Sequence, residues 1–374
     1  MSESPLSGVK VVELARILAG PWAGQVLADL GAEVHKVEGP DGDDTRQWGP
    51  PFIDRSDGSK DAAYFHAANR GKDTMVADFK RAADLKKVHA MIAEADVVIE
   101  NFKPGSLARF GLDYDSLKEA NPALVYCSIT GFGHDGPYAA RAGYDFIVQG
   151  MSGIMDLTGT PEGPPNKIGV AYADIMTGLY AVIAIQAALH QRTRTGRGQM
   201  VDMALFDVMV GTLGNQAMNY LASGRSPKRM GNSHPNIAPY EAFEAKDGSL
   251  IVAVGNDRQF ERFCEAIDLP LREEWTTNAR RVKNRVSLSA SIAKRIAEMK
   301  REDVLLKMEN RGIPAGPINT VKQALTDPQI AARGMVVDLD EDGLQGLRTP
   351  IRFSDAELSI GRPSPVLPKV EEEE

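Results

Sequence analysis

The sequence predicts an α/β protein whose larger part is an open, mostly parallel sheet. Short valine-rich runs alternate with helical patterns, and glycines mark the junctions between them. The order strand–helix–strand recurs, and a parallel pair needs such a crossover between its strands.

The elements follow in order. Residues 9–14 are an apolar run bounded by Gly8 and read as a strand. A helical pattern opens at Ala19-Gly20-Pro21 and continues to Leu30; residues 32–37, entered through Gly31, read as a second strand. Residues 74–78 predict a strand, 82–95 a helix and 96–100 a strand. Short helices are expected over 106–109 and 114–120, then a buried strand over 124–129. The first strand–helix turn has one glycine at its core, Gly20. With neither G-x-G-x-x-G nor a P-loop, this is a Rossmann-like domain without a dinucleotide fingerprint.

A long apolar helical pattern starts at Asp174 and reaches about His190. Residues 195–198 form a turn, 200–204 a strand and 205–221 a helix. From Ser223 to Pro239 the texture turns to Gly, Pro, Ser and Asn, a linker into a smaller α/β domain. That domain is expected to hold a strand at 250–254 and helices at 257–267, 287–299 and 302–310. The expected division is 1–222 for the first part of the large domain, 223–316 for the small one and 317–362 for a return to the large one. Residues 363–374, proline-rich and then acidic, predict a disordered tail.

Composition narrows the function classes. The 374 residues carry 43 basic and 51 acidic side chains, a net charge of −8, which argues against nonspecific nucleic-acid binding. Two separated cysteines, Cys127 and Cys264, favour a reducing compartment over a disulfide framework or a metal site. No signal peptide is read at the N-terminus, and the apolar stretch 178–189 is short for a bilayer span. A cytoplasmic protein with no membrane association and no metal is the expectation.

Asp174 stands alone among small and apolar residues at a helix start. Two readings fit it: a cap for free backbone N–H groups, or an oxygen nucleophile toward an activated acyl group. Other blocks could bind an anionic ligand. Arg46 and Trp48 offer a cation and an apolar wall. Arg70, Lys72 and Lys80 sit near strand ends, where phosphate ligands bind in open α/β sheets. Asn101, Phe102, Lys103 and Arg109 follow a buried strand and suit a nucleotide-like ligand. Gly143-Tyr144-Asp145 and the small polar segment around His234 complete the set. For each block taken alone, a solvated or structural loop is the competing reading.

The blocks and their order resemble the class III CoA-transferases, the CaiB/BaiF family, from about Leu6 to Pro365. The residues that carry the resemblance run from Leu14 to Pro21, from Asp44 to Arg46, from Glu100 to Gly105, from Thr195 to Gln199 and from Ala315 to Asn319, with the Asp174 segment. The texture of Arg16 to Pro21, Gly42 to Phe52 and Gly143 to Asp145 is most similar to succinyl-CoA:glutarate-type transferases.

The resemblance implies a family III fold, an interlocked homodimer, and CoA transfer from an acyl-CoA, succinyl-CoA foremost, to a dicarboxylic acid. It implies Asp174 as the nucleophile, passing through an aspartyl anhydride and an aspartyl-CoA thioester. CoA contacts carry over to Arg16, Leu18, Ala19, Ala77, Lys80, Asn101, Phe102, Lys103, Arg109, Ala142, Gly143, Tyr144 and Asp145. Arg46, Tyr144 and His234 are the candidates for the acid substrate. CoA is a substrate here, and no tightly bound cofactor is implied.

Departures from the family pattern shape the reading. Racemases of the family carry histidine where Tyr144 stands, which makes the 2-methylacyl-CoA epimerase reading second to transfer; a catalytically silent CoA-binding protein is the other alternative. The oxalate-specific enzymes carry glutamine in place of Leu18 and a glycine-rich loop that this chain lacks. A Gly-Glu/Gln-His-Thr motif common near the family's C-terminus is also missing.

Overall fold

A computed structural model describes residues 3–55, 58–340 and 344–368. The chain divides into two compact units. One comprises Met1–Ile154, Lys167–Met218 and Pro328–Glu374; the other comprises Met155–Asn166 and Asn219–Asp327.

The first unit is built on six strands: β1 (Lys10–Glu13), β2 (Glu33–Glu38), β3 (Asp73–Val76), β4 (Val97–Glu100), β5 (Val125–Thr130) and β6 (Met200–Ala204). All pair in parallel, in the order β3-β2-β1-β4-β5-β6. Strands covered on both faces read as continuous apolar runs, and β4 and β5 are buried along their whole length. Among the helices of this unit are α1 (Ala19–Asp29), α2 (Ala82–Ala93), α3 (Asp145–Met151), α4 (Tyr172–Thr195) and α5 (Leu205–Gly211). The α/β class and the parallel sheet are as the sequence predicts.

Two helices differ from their expected extents. The pattern over 205–221 breaks at Gly214, whose φ of 55° ends one helix and starts another, Gly214–Ser223. The helix carrying Asp174 starts two residues earlier, at Tyr172, and has 24 residues. By length and mean hydropathy, 1.4 over its most apolar window, it could cross a membrane. One face of it is nevertheless core: Ala173, Thr177, Gly178, Ala181, Val182, Ile185 and Ala188 are buried. Gly178 lets α1 approach, since a Cβ there would lie 2.7 Å from the Ala19 carbonyl oxygen and 3.1 Å from Trp22.

The sheet rests on charges buried out of water. Glu13, Lys36 and Lys72 have fully buried side chains. Lys36 Nζ lies 3.0 Å from both Glu13 and Asp43 and donates to the Ala15 carbonyl at 2.8 Å. Lys72 Nζ meets Glu13 at 2.8 Å and donates to Pro21 O and Asn69 Oδ1, each at 2.9 Å. Desolvation pulls both ammonium groups down. Glu13, Asp43 and Glu38 together overcome it for Lys36, whose pKa is raised; Lys72, drawn up chiefly by Glu13 but repelled by Lys36, falls to about 8. Lys72 and Arg70, marked by the sequence as phosphate candidates, are therefore structural: Arg70 pairs with buried Asp29.

Arg46 is also corrected. Its guanidinium grips Glu38 in a fork at 2.7 and 2.8 Å, meets Asp61 at 3.0 Å and donates to Pro365 O at 3.1 Å. It also stacks 3.7 Å over the Phe65 ring, leaving no donor for a substrate carboxylate. The same contacts revise the tail. Ser364 is buried, and Pro365 is tied to Arg46, so 363–368 packs on this unit; 369–374 lie outside the described residues.

The second unit holds an antiparallel sheet of β7 (Tyr240–Ala245), β8 (Gly248–Ala253) and β9 (Ala315–Pro317), in the order β9-β8-β7. The first of these lies just past the expected linker and carries no clean alternation. Helices Asp257–Ala266, Arg285–Ile296 and Arg301–Glu309 bury Phe260, Phe263, Leu288, Ile292, Val304 and Met308 with Trp275 in its core. Residues 155–166 belong to this unit, ahead of the expected boundary at 223.

Replacing Glu13 by Gln leaves two buried ammonium groups facing a neutral amide. The expected cost is about 3–5 kcal/mol, read by urea denaturation. A cost near that of an exposed pair, below about 1 kcal/mol, would contradict the structural role of the network.

Candidate functional site

Strand order reverses direction between β1 and β4, and ligands of open α/β sheets bind beyond the carboxyl ends of strands at that point. A cleft of about 460 Å³ lies there, walled by the loops after β1, β4 and β5 and by the starts of α1, α3 and α4. Each loop is held by its own device. Asn101 accepts the Arg16 N–H at 2.9 Å and donates to the Arg16 carbonyl at 2.7 Å, joining the loops after β1 and β4. Ile17 adopts φ 70°, a left-handed conformation costly for a β-branched residue, and its N–H is held by Asp43 at 3.2 Å. Gly131 and Gly143 meet backbone to backbone; a Cβ on Gly143 would fall 2.4 Å from Gly131 Cα.

Most of the sequence candidates meet in this cleft. Arg16, Leu18 and Ala19 line one wall, and Asn101, Phe102 and Lys103 the next. Ala142, Gly143, Tyr144 and Asp145 form a third, with Asp174 between them and Leu205. Arg16 stacks 5.5 Å over Phe102 and stands 3.7 Å from Asp44.

Ala77, Lys80 and Arg109 are not among the lining residues. Ala77 is buried, with its N–H on Glu38 O, while Lys80 and Arg109 are exposed. Their neighbours Phe79 and Phe110 pack together at 5.6 Å, and Phe79 meets Phe102 at 6.4 Å, so an aromatic cluster joins them to the cleft wall. His234 lies in the second unit, where Nδ1 accepts the Asn236 N–H at 3.1 Å and the ring packs 5.2 Å from Tyr240.

The sequence gives no distinct signal for several lining residues. Ile17 and Thr130 look like core positions in their motifs, and Arg141 like one of many surface arginines. Arg141 lines the cleft, stacks 3.9 Å over Tyr138 and has no carboxylate partner among the described residues. Tyr64 packs edge-on against Trp48 at 5.3 Å; burial and then the Asp174, Asp145 and Asp43 charges push its phenol up.

Asp174 is not the cap that one reading of the sequence makes it. It is the third residue of α4, and Ala171 in the capping position has no side-chain oxygen. Asp145 supplies the cap from α3, accepting N–H groups from Ala173 at 2.7 Å and Asp174 at 3.3 Å. The Asp174 carboxylate is thereby released: no described residue donates a hydrogen bond to it. It is half-buried, and burial together with the Asp145 charge raises its pKa to about 7. An unpaired carboxyl poised between charge states, on the wall of an open cleft, can serve as a nucleophile. Among the described residues there is no cluster of three or more His, Cys, Asp or Glu suited to a metal.

The family described as CoA-transferase family III matches residues 6–369. A succinate–glutarate CoA-transferase of Agrobacterium fabrum is 55% identical, covering 97% of this chain and 93% of that protein. A succinyl-CoA:glutarate CoA-transferase of Homo sapiens is 40% identical over 97% of this chain and 83% of its own length. Among solved structures, a CaiB/BaiF family protein from Brucella suis superposes with a TM-score of 0.90 at 60% identity, covering 99% of this chain and 97% of that one.

The raised Asp174 pKa has a consequence for stability. The folded state holds the proton more tightly than the unfolded chain, so stability is lost as pH rises from about 4 to about 7 and is flat above. Asp174→Asn should therefore gain in Tm relative to the parent between pH 5 and pH 8. An unchanged difference across that range would contradict the shift.

Proposed function

The chain belongs to CoA-transferase family III, and from that premise we propose that it moves CoA from succinyl-CoA to a short dicarboxylic acid, glutarate foremost, by acyl exchange on Asp174. The observation that carries the reading is the free carboxylate of Asp174, presented to the cleft by a helix whose cap is supplied from elsewhere. The names of the 55% and 40% identical relatives supply the substrate class.

The exchange balances without ATP. The ionised Asp174 oxygen attacks the thioester carbonyl of the donor; the C–S bond breaks, giving a mixed anhydride and CoA thiolate. The thiolate attacks the Asp174 acyl carbon, releasing the donor's acid and leaving an aspartyl-CoA thioester. The acceptor carboxylate then attacks that thioester, forming a second anhydride and thiolate. Attack of the thiolate on the acceptor's acyl carbon gives the new acyl-CoA and restores Asp174. Backbone N–H groups of Ala19 and Gly20 at the start of α1 are the candidates to stabilise the oxyanions.

Arg16, Lys103 and Arg141 are the cleft's cations for CoA phosphates or a substrate carboxylate, with Lys80 and Arg109 beyond the aromatic cluster for the nucleotide end. Tyr144, 64% exposed, is the remaining candidate for the acceptor in the first unit. Tyr144 lacks the imidazole that a proton-transfer partner for racemisation needs near neutral pH, which favours transfer.

A homodimer is also proposed. Phe146 on α3 and Ile183 on α4 are 60% and 61% exposed, and Leu179 one turn before Ile183 is exposed as well. Apolar side chains at that helical spacing favour coverage by a second copy, in the interlocked form that the family resemblance implies.

Incubation with succinyl-CoA followed by hydroxylamine should leave a hydroxamate on the Asp174 peptide, seen by mass spectrometry and abolished in Asp174→Asn. An unlabelled Asp174 in active enzyme would overturn covalent transfer. With succinyl-CoA as donor, glutarate should give more acyl-CoA product than oxalate, and a reversed order would overturn the dicarboxylate assignment. Light scattering should give about twice the 40.5 kDa chain mass, and the mass of one chain would overturn the dimer.

A further inference from the structure

Asp145 lines the cleft, yet its carboxylate is engaged at both oxygens. Oδ1 accepts the N–H groups of Ala173 and Asp174, and Oδ2 accepts Gln149 Nε2 at 2.7 Å. Buried Gln149 in turn accepts the Ile168 N–H through Oε1 at 2.9 Å. One turn of α3 therefore grips both ends of the 168–174 segment.

We propose that Asp145 is a positioning residue for the transfer reaction: it fixes the backbone that presents Asp174 and holds a second negative charge beside that nucleophile. The inference rests on Asp174 being the nucleophile. Two features of the site support it. Backbone N–H groups at positions two and three of α4 point to one Asp145 oxygen, so the helix start cannot shift without breaking that contact. And the two carboxylates interact: Asp145 is the charge, second only to burial, that favours the protonated form of Asp174. The other ionisable groups of the neighbourhood are the Tyr64 phenol, the Asp44 carboxylate paired with Arg16, and the cleft cations Arg16, Lys103 and Arg141.

Asp145→Asn keeps an oxygen at the cap position while removing the charge, and Asp145→Ser removes the charge with a shorter hydroxyl, which separates the two roles. The test is the titration of the Asp174 carboxyl by 13C NMR, its signal identified by loss in Asp174→Asn. In both variants the midpoint should fall by roughly half a unit or more. The acid limb of kcat/KM should move to lower pH by the same amount. Asp145→Ala, with no cap oxygen, should lower Tm and reduce kcat more than it raises KM for succinyl-CoA. A midpoint unmoved in folded Asn and Ser variants, or an Ala variant with unchanged Tm and kcat, would overturn the inference. The titration requires no turnover, so its failure is distinct from that of the transfer reading, which is decided by the adduct on Asp174.

Discussion

The buried carboxylate of Glu13, shared by two buried lysines, is the interaction on which the first unit depends. It sits at the end of the central strand β1, and Lys36 reaches it from β2, while Lys72 reaches it from just before β3. Through Lys36 the network extends to Asp43, and Asp43 holds the N–H of Ile17. Thus the left-handed turn at Ile17 is anchored from below by ion pairs rather than by packing. A strained turn of this kind costs on the order of 1–3 kcal/mol and persists where its surroundings fix it. Removing a single charge from such a network costs more than the network itself contributes, because its partners remain buried. That asymmetry ties the shape of the cleft wall to residues that never reach the cleft.

The opposite wall is set by close approach rather than charge. Gly178 brings α4 against the first turn of α1, so the start of α1 and the carboxylate of Asp174 face one cleft. The Gly131–Gly143 contact places Tyr144 and Asp145 beyond β5. Helix α4 then receives its cap from Asp145 across the gap. A cap supplied in this way differs from an ordinary one in that it leaves the acid in the first turn of α4 without a partner. Had Asp174 capped its own helix, its oxygens would be occupied by N–H groups and its basicity lowered.

Much of this was legible in the residues. Apolar runs with valine mark β1, β2, β4 and β5 because most of their positions are buried, though charged Glu13, Lys36, Glu38 and Glu100 interrupt them. The cleft loops stand out as polar and glycine-containing segments following those runs, which is why Arg16, Asn101, Phe102, Lys103 and Tyr144 were identifiable. What pattern could not show is pairing at a distance. Lys36, Lys72 and Arg46 look like solvated or ligand-binding cations, since nothing local distinguishes a cation bonded to water from one bonded to a carboxylate 23 or 59 residues away. The acid network absorbs them, and the cations left for a ligand are those on the loops.

The same division bears on the exchange proposed above, in which one acid serves both steps. A nucleophile toward a thioester must be ionised, yet its acyl derivative must remain a good electrophile, which requires that the parent acid be weakly basic. A carboxylate stripped of hydrogen bonds gains reactivity without ceasing to be a carboxylate, since its raised pKa of about 7 stays far below that of an alkoxide. Burial supplies most of that rise, and in the proposed exchange it would also limit access of water to the anhydride and the thioester. In the proposed exchange the burial of Asp174 bears on both halves of the reaction: it raises the energy of the ionised carboxylate, and it would shield the intermediates. A hydrogen-bonded Asp174 at the same place would be more stable and a poorer nucleophile, so the lack of a donor to it among the described residues suits the exchange proposed above.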